Sequence, residues 1–111
     1  MSELTIVGSL KAQPGKEAEL AAALAAVIAP THAEEGCLLY AVHQGAQDPT
    51  RFVVIERWVD QAALDTHVRA DYMHQLLARA ADLLTEMPDS PTYETLPQSI
   101  GTKGSLANAS T

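Results

Sequence analysis

The sequence predicts an α+β domain whose elements run strand, helix, strand, strand, helix, strand. Three observations predict it. Apolar residues alternate in short runs bounded by turn residues, and they recur at helical spacing in two longer stretches. A segment of hairpin composition, Gly45-Ala46-Gln47-Asp48-Pro49-Thr50, joins the two middle runs.

Residues 4–10 read as the first strand, with Leu4, Ile6 and Leu10 supplying an inward face. Gln13-Pro14-Gly15-Lys16 turns the chain. Over residues 16–35, Leu20, Leu24, Val27 and Ile28 fall at helical spacing and the many alanines favour a helix. Pro30 removes a backbone donor and presses on the carbonyl of Ala26, which predicts a kink or break there. Gly36 is placed to end the helix in a left-handed conformation. Residues 37–44 and 51–59 are the two middle strands. Asp60 is the expected N-cap of the second helix, which carries Leu64, His67 and Val68 on one face. The pattern resumes through Met73, Leu76, Leu77, Ala80 and Leu84 to about Glu86, with a bend expected near Ala70-Asp71. Met87-Pro88-Asp89-Ser90-Pro91 breaks the helix, and residues 92–96 form a short last strand. This order, with its central hairpin, is that of a ferredoxin-like βαββαβ unit. Residues 1–98 make one domain; residues 99–111 form a small polar tail, expected to be flexible or packed on a partner subunit.

Composition narrows the function classes. Apolar residues make up 47% of the 111 and charged residues 19%, the balance of a globular interior. Seven Lys and Arg against fourteen Asp and Glu give a net charge of −7. That balance offers no basic stripe to phosphate backbones and is repelled by anionic membrane surfaces, so neither nucleic-acid binding nor membrane insertion is expected. Apolar runs stay short of the roughly 18 residues a membrane span needs. Cys37 is the only cysteine and the Met1 end has no basic, apolar leader pattern, so the cytoplasm is the expected compartment. No HExxH, clustered Cys/His, GxGxxG or P-loop pattern is present, and neither a metal nor a bound cofactor is expected.

Several residues can carry chemistry. Helical spacing puts the His67 imidazole among Leu64 and Val68 on the inward face, where it can accept a proton or, as a plain core residue, bond a backbone carbonyl or Glu56. Trp58 can stack on a planar ligand or simply pack. Glu56 shares its strand face with Trp58 while Arg57 points the other way, so one of these charges lies near the core or an interface, either facing a ligand or in a structural ion pair. Tyr40 can hydrogen-bond a substrate oxygen, and His43 falls on the opposite face of the same strand. Tyr72 and His74 sit beyond the expected bend; a continuous helix would align His74 with His67, and a bent one leaves it on the surface. His32 suits the end of the first helix through the helix dipole. Cys37 reads as a small core residue rather than a nucleophile.

The spaced signatures Pro14-Gly15-Lys16, Pro30-Thr31, Glu34-Glu35-Gly36-Cys37 with Tyr40, Asp48-Pro49, Glu56-Arg57-Trp58 and Ala63-Leu64-x-x-His67 resemble the antibiotic biosynthesis monooxygenase family, in particular its quinol monooxygenase-like branch. The resemblance covers about residues 4 to 96. It implies a homodimer whose sheets pack face to face into a dimeric α+β barrel, each subunit keeping a pocket between its sheet and its helices. It also implies a monooxygenase that needs no bound cofactor and oxidises a small aromatic substrate, a quinol, anthrone or related phenolic, with O₂. On that reading His67, Tyr40 and Tyr72 are the catalytic candidates, and Trp58, Glu56, His74 and His43 the substrate-binding ones. Heme-degrading relatives carry asparagine, tryptophan and histidine where this chain has Gly8, His67 and Leu77, which disfavours heme breakdown. Two other readings stand beside the first: an isomerase of a small, phosphorylated or unphosphorylated signalling metabolite, and a non-catalytic dimeric module that binds an apolar metabolite. Oxygen uptake separates the first from both.

Overall fold

The computed structural model describes residues 3–99 together with Lys103, Gly104 and Leu106. Strands β1 (Leu4–Lys11), β2 (Cys37–Gln44), β3 (Arg51–Trp58) and β4 (Thr92–Tyr93) form one antiparallel sheet in the order β2-β3-β1-β4. Between β1 and β2 lie α1 (Glu17–Ala25) and α2 (Ile28–His32); after β3 come α3 (Gln61–Arg69) and α4 (Asp71–Ala80). The architecture is the expected ferredoxin-like α+β fold. The tail expected over residues 99–111 lies, apart from Ser99, Lys103, Gly104 and Leu106, outside the described residues.

The turn before α1 needs a glycine: Gly15 has φ +83°, a left-handed conformation that residues with a Cβ resist. The first long helix breaks, as Pro30 requires. Lacking an N–H, Pro30 cannot bond the carbonyl of Ala26, so α1 closes with Val27 N–H donating to Leu24 O and the chain restarts as α2, whose first turn tolerates the proline. Across the middle hairpin, Asp48 holds the turn by accepting from the backbone N–H and the hydroxyl of Thr50 at 3.1 and 2.6 Å. Asp60 caps α3 by accepting from Ala63 N–H at 2.9 Å.

Five local expectations change. Val68 and Leu77, expected on the inward face of the second helix, are exposed: Val68 is one step round α3 from buried His67, and Leu77 is one step round α4 from buried Leu76. Gly36 is not left-handed, because α2 has already ended at His32; its small size serves a close approach instead. A Cβ there would run into Ala63 Cβ on α3 and sit 3.2 Å from Val59 Cγ2. The bend at Ala70 is a full break: its ψ of 143° is extended, and it caps α4 by accepting from His74 N–H. Helix α4 ends at Ala80 rather than Glu86, because residues 83–91 run beside β1 and hydrogen-bond to its edge (Gln13 N to Leu83 O, Thr85 N to Lys11 O, Ser9 N to Asp89 O). The last strand shrinks to two residues. Thr92 and Tyr93 pair with Ile6 and Thr5, and in this antiparallel register the next residues would run past Leu4, where β1 begins, so the ladder has almost nothing left to pair with.

Strand alternation gives the sheet two unlike faces. One carries Ile6, Tyr40, Phe52, Val54 and Trp58 into a core closed by Leu20, Leu24 and Val27 from the first helical segment, Leu76 and Ala80 from α4, and Leu83 and Leu84 from the stretch that follows α4. The other carries Val7, Leu39, Ala41, Val53 and Ile55, none of which belongs to that core. Arg57 lies on this second face, largely buried and ion-paired with Glu3.

Gly36→Ala is expected to destabilise the fold by about 1–3 kcal/mol through overpacking against α3. Urea denaturation measures this, and adding Ala63→Gly should recover part of the loss. An unchanged midpoint for the single variant would mean that β2 and α3 do not need this contact.

Candidate active site

The site is built where the β2–β3 hairpin meets α3. Inward-facing positions of the hairpin supply Tyr40, Glu56 and Trp58, with Tyr40 and Glu56 paired across the ladder. Helix α3 lowers His67 onto them, α4 adds Tyr72, and the loop before β2 adds Glu34. His67 is only 1% exposed and Trp58 is fully buried. The imidazole lies 4.5 Å from the Trp58 ring and 5.6 and 6.1 Å from the rings of Tyr40 and Tyr72, centroid to centroid.

A polar ring buried this deeply needs a partner. His67 Nδ1 has one, Glu34 Oε2 at 2.7 Å, and the Tyr72 hydroxyl donates to the same oxygen. Thr31, wholly buried in α2, donates to the Tyr72 oxygen at 3.4 Å. His67 Nε2 is also buried but has no hydrogen-bond partner among the described residues. A second pair lies alongside: Trp58 Nε1 donates to Glu56 Oε1 at 2.9 Å.

Burial dominates the electrostatics. It raises the Tyr40 phenol well above its ordinary range, with the charges of Glu56 and others adding to the effect. The Tyr72 phenol is pushed up to about 12, by burial first and then by its bond to Glu34. Both phenols therefore stay protonated near neutral pH, and that of Tyr72 donates to Glu34. Burial likewise raises the Glu56 carboxyl, partly offset by the Trp58 N–H, and the Cys37 thiol, on which the Glu34 and Glu56 charges also act. A raised thiol is a poor nucleophile, in keeping with a packing role for Cys37.

Of the residues picked out from sequence, the fold brings His67, Tyr40, Tyr72, Trp58 and Glu56 together. It leaves out two. His43 is exposed on edge strand β2, and His74 is exposed on α4 because the break at Ala70 ends the helical register that would have aligned it with His67. His32 does more than meet a helix end, since its Nε2 bonds the Tyr40 carbonyl at 2.9 Å and ties α2 to β2. Glu34 was missed as a site residue. It stood in the Glu34-Glu35-Gly36-Cys37 signature without a role, while Glu56 was the carboxylate weighed as a partner for His67; Glu56 is taken by Trp58 instead.

The volume expected between sheet and helices is filled at this point by the packed rings, and open space lies beside them. A cleft of about 540 Å³ is lined by Glu34, Glu35, Gly36, Val59, Ala63 and Thr66. A smaller cavity of about 160 Å³ adjoins Tyr72 between α1 and α4. Among the described residues no three His, Cys, Asp or Glu side chains converge as metal ligands.

Glu56 yields a pH test. Its raised folded-state pKa means that folding favours the protonated carboxyl: the penalty is absent below the unfolded pKa and grows as pH rises past it. Glu56→Gln keeps an acceptor for Trp58 without the charge. Its Tm should exceed that of the parent protein near neutral pH, and the gap should close in acid; a lower Tm near neutral pH would contradict the assignment.

Similarity to other proteins agrees with this fold. Residues 4–79 match the family described as antibiotic biosynthesis monooxygenase. The structure of PA3566 from Pseudomonas aeruginosa superposes with a TM-score of 0.82 at 32% identity, covering 86% of this chain and 96% of that one. Rv0793 from Mycobacterium tuberculosis, named as a candidate monooxygenase, is 32% identical over 84 residues, 76% of this chain and 82% of its own. Its structure gives a TM-score of 0.80, covering 86% of this chain and 96% of that one. The uncharacterized Synechocystis protein sll1783 is 29% identical over 91 residues, 82% of this chain; the match spans only 62% of that longer protein. With more than half its length matched, this chain belongs to the antibiotic biosynthesis monooxygenase family.

Proposed function

We propose that the protein is a cofactor-independent monooxygenase that oxidises a quinol, anthrone or related phenolic with O₂, and that His67 is the proton acceptor. The observation that supports this best is the state of the imidazole: one nitrogen is held by Glu34, the other is buried with no hydrogen-bond partner among the described residues, and aromatic rings surround both. A nitrogen with a free lone pair in a site from which water is excluded is suited to deprotonate a weakly acidic substrate.

On this reading His67 Nε2 takes a proton from the reduced aromatic. The resulting carbanion or phenolate reduces O₂, and the carbon–oxygen bond that forms gives a peroxide anion. The proton on Nε2 returns to the peroxide; loss of water, which carries away the second substrate hydrogen, leaves the new carbonyl. The electrons come from the substrate. The protein contributes deprotonation, orientation and a dry setting. Trp58, held by Glu56, is the flat surface against which the substrate ring stacks, and Tyr40 is a donor to its oxygen. Nε2 is covered by ring packing, so substrate reaches it when a ring turns aside. Tyr72, on a separate helix and next to its own cavity, has room to do so.

The cleft beside the site has two carboxylates and, among the described residues, no Lys, Arg or His in its lining, which favours a neutral aromatic over a phosphorylated metabolite. We also propose a homodimer formed through the helix-free sheet face, where Val7, Leu39, Ala41, Val53 and Ile55 await cover. Among the described residues no helix is long and apolar enough to cross a membrane.

With an anthrone or hydroquinone as probe, an oxygen electrode should record one O₂ consumed per substrate oxidised, unchanged after dialysis against a chelator. His67→Ala should lower turnover by roughly 10²-fold while the protein stays folded. Unchanged turnover with a lowered Tm would assign His67 to packing, and conversion of a ligand without oxygen uptake would turn the reading to an isomerase. Sedimentation at micromolar concentration should give twice the chain mass, and Ile55→Asp should shift it to monomer; a stable monomer for the parent protein would remove the barrel.

A further inference from the structure

We infer that Glu34 is the positioning residue for His67: it fixes the imidazole as the Nδ1–H tautomer, so that Nε2 is the basic nitrogen, and it stabilises the imidazolium when Nε2 accepts a proton. This rests on the proposed role of His67 but is read from contacts that the reaction does not define.

A carboxylate oxygen only accepts, so the 2.7 Å contact between Glu34 Oε2 and His67 Nδ1 requires the proton on Nδ1. A neutral imidazole carries one such proton, which leaves a lone pair on Nε2, the atom that is buried without a partner among the described residues. Any other tautomer would set two lone-pair-bearing atoms against each other at Nδ1 in a site with little water to relieve them.

Glu34 is itself held. The Tyr72 hydroxyl donates to the same Oε2, and the Thr31 hydroxyl backs Tyr72, so a line of hydrogen bonds runs from buried Thr31 in α2 through α4 and the loop to α3. The raised Tyr72 phenol stays a donor through the neutral range, so this support does not reverse. The Glu34 side chain is 17% exposed and lines the 540 Å³ cleft, so it spans from the cleft wall to the buried imidazole. When Nε2 gains the substrate proton, the positive charge forms next to this anion. The proton on Nδ1 stays where it is, and the one on Nε2 leaves with the product side of the reaction.

The test needs no substrate for its first part. In ¹⁵N-labelled protein, long-range ¹H–¹⁵N correlations distinguish the two nitrogens of each imidazole. At a pH where His67 is neutral, it should show the proton on Nδ1; Glu34→Ala should move it largely to Nε2, and Tyr72→Phe should leave it on Nδ1. A parent protein with the proton on Nε2, or a Glu34→Ala variant with an unaltered tautomer, overturns the inference. In the second part, Glu34→Ala should lower kcat by roughly 10²-fold with KM nearly unchanged, and Tyr72→Phe by about tenfold or less. Equal turnover for Glu34→Ala and the parent protein also overturns it. Should Glu34→Ala fail to fold, the parent and Tyr72→Phe tautomers still decide. If no phenolic is oxidised by any form while the tautomers behave as stated, the monooxygenase reading fails and the positioning role stands.

Discussion

A single buried imidazole organises the middle of this protein. His67 is 1% exposed, the one buried residue of α3 beside half-buried Ala63 and Leu64, and a polar ring at that depth costs several kcal/mol unless its donor is met. The Glu34 carboxylate meets it from a loop 33 residues earlier in the chain. That one bond joins the loop after α2 to the last turn of α3. Tyr72, Thr31 and the geometry of the β2 entrance are arranged around it.

Glycine makes the reach short enough. Gly36 lies between Glu34 and the first residue of β2, and its carbonyl accepts from Val59 N–H at 3.0 Å while Ala63 of α3 packs against its bare Cα. Any side chain there would wedge α3 away from the loop and lengthen the path from Glu34 to His67. The Asp60 cap starts α3 one turn earlier, so that Ala63 and His67, four residues apart, face the same way. Packing, capping and the polar contact thus specify one helix position together.

The two helix breaks give the site its upper wall. Pro30 ends α1 and lets α2 turn Thr31 inward, while the extended Ala70 separates α4 from α3 and lets Tyr72 meet Thr31 and Glu34. The same break removes His74 from the site. On the floor, strand alternation sends Tyr40, Glu56 and Trp58 inward and Arg57 outward, so the Glu56 carboxylate is desolvated and finds the indole N–H of Trp58 two residues on.

Much of this could be read along the chain because it depends on short-range periodicity. Strand alternation, the helical spacing that buried His67, the Asp60 cap, the disruption at Pro30 and the shared face of Glu56 and Trp58 are local consequences of backbone geometry, and the sequence by itself determined them. The element order, and with it the fold, follows from the same patterns and from the spaced signatures. What only the tertiary structure decided depends on distance through space. Which group pairs with His67 turned on how closely the loop approaches α3; the sequence leaves a backbone carbonyl and Glu56 as its candidates, and the loop brings Glu34. The purpose of Gly36 depended on Ala63, 27 positions away, and the early end of α4 on the free edge of β1, which competes for the backbone groups of residues 83–91. Neither a partner across a loop nor a competing strand edge leaves a mark in a local window, because the hydrogen bonds and contacts concerned exist only once the chain has closed on itself.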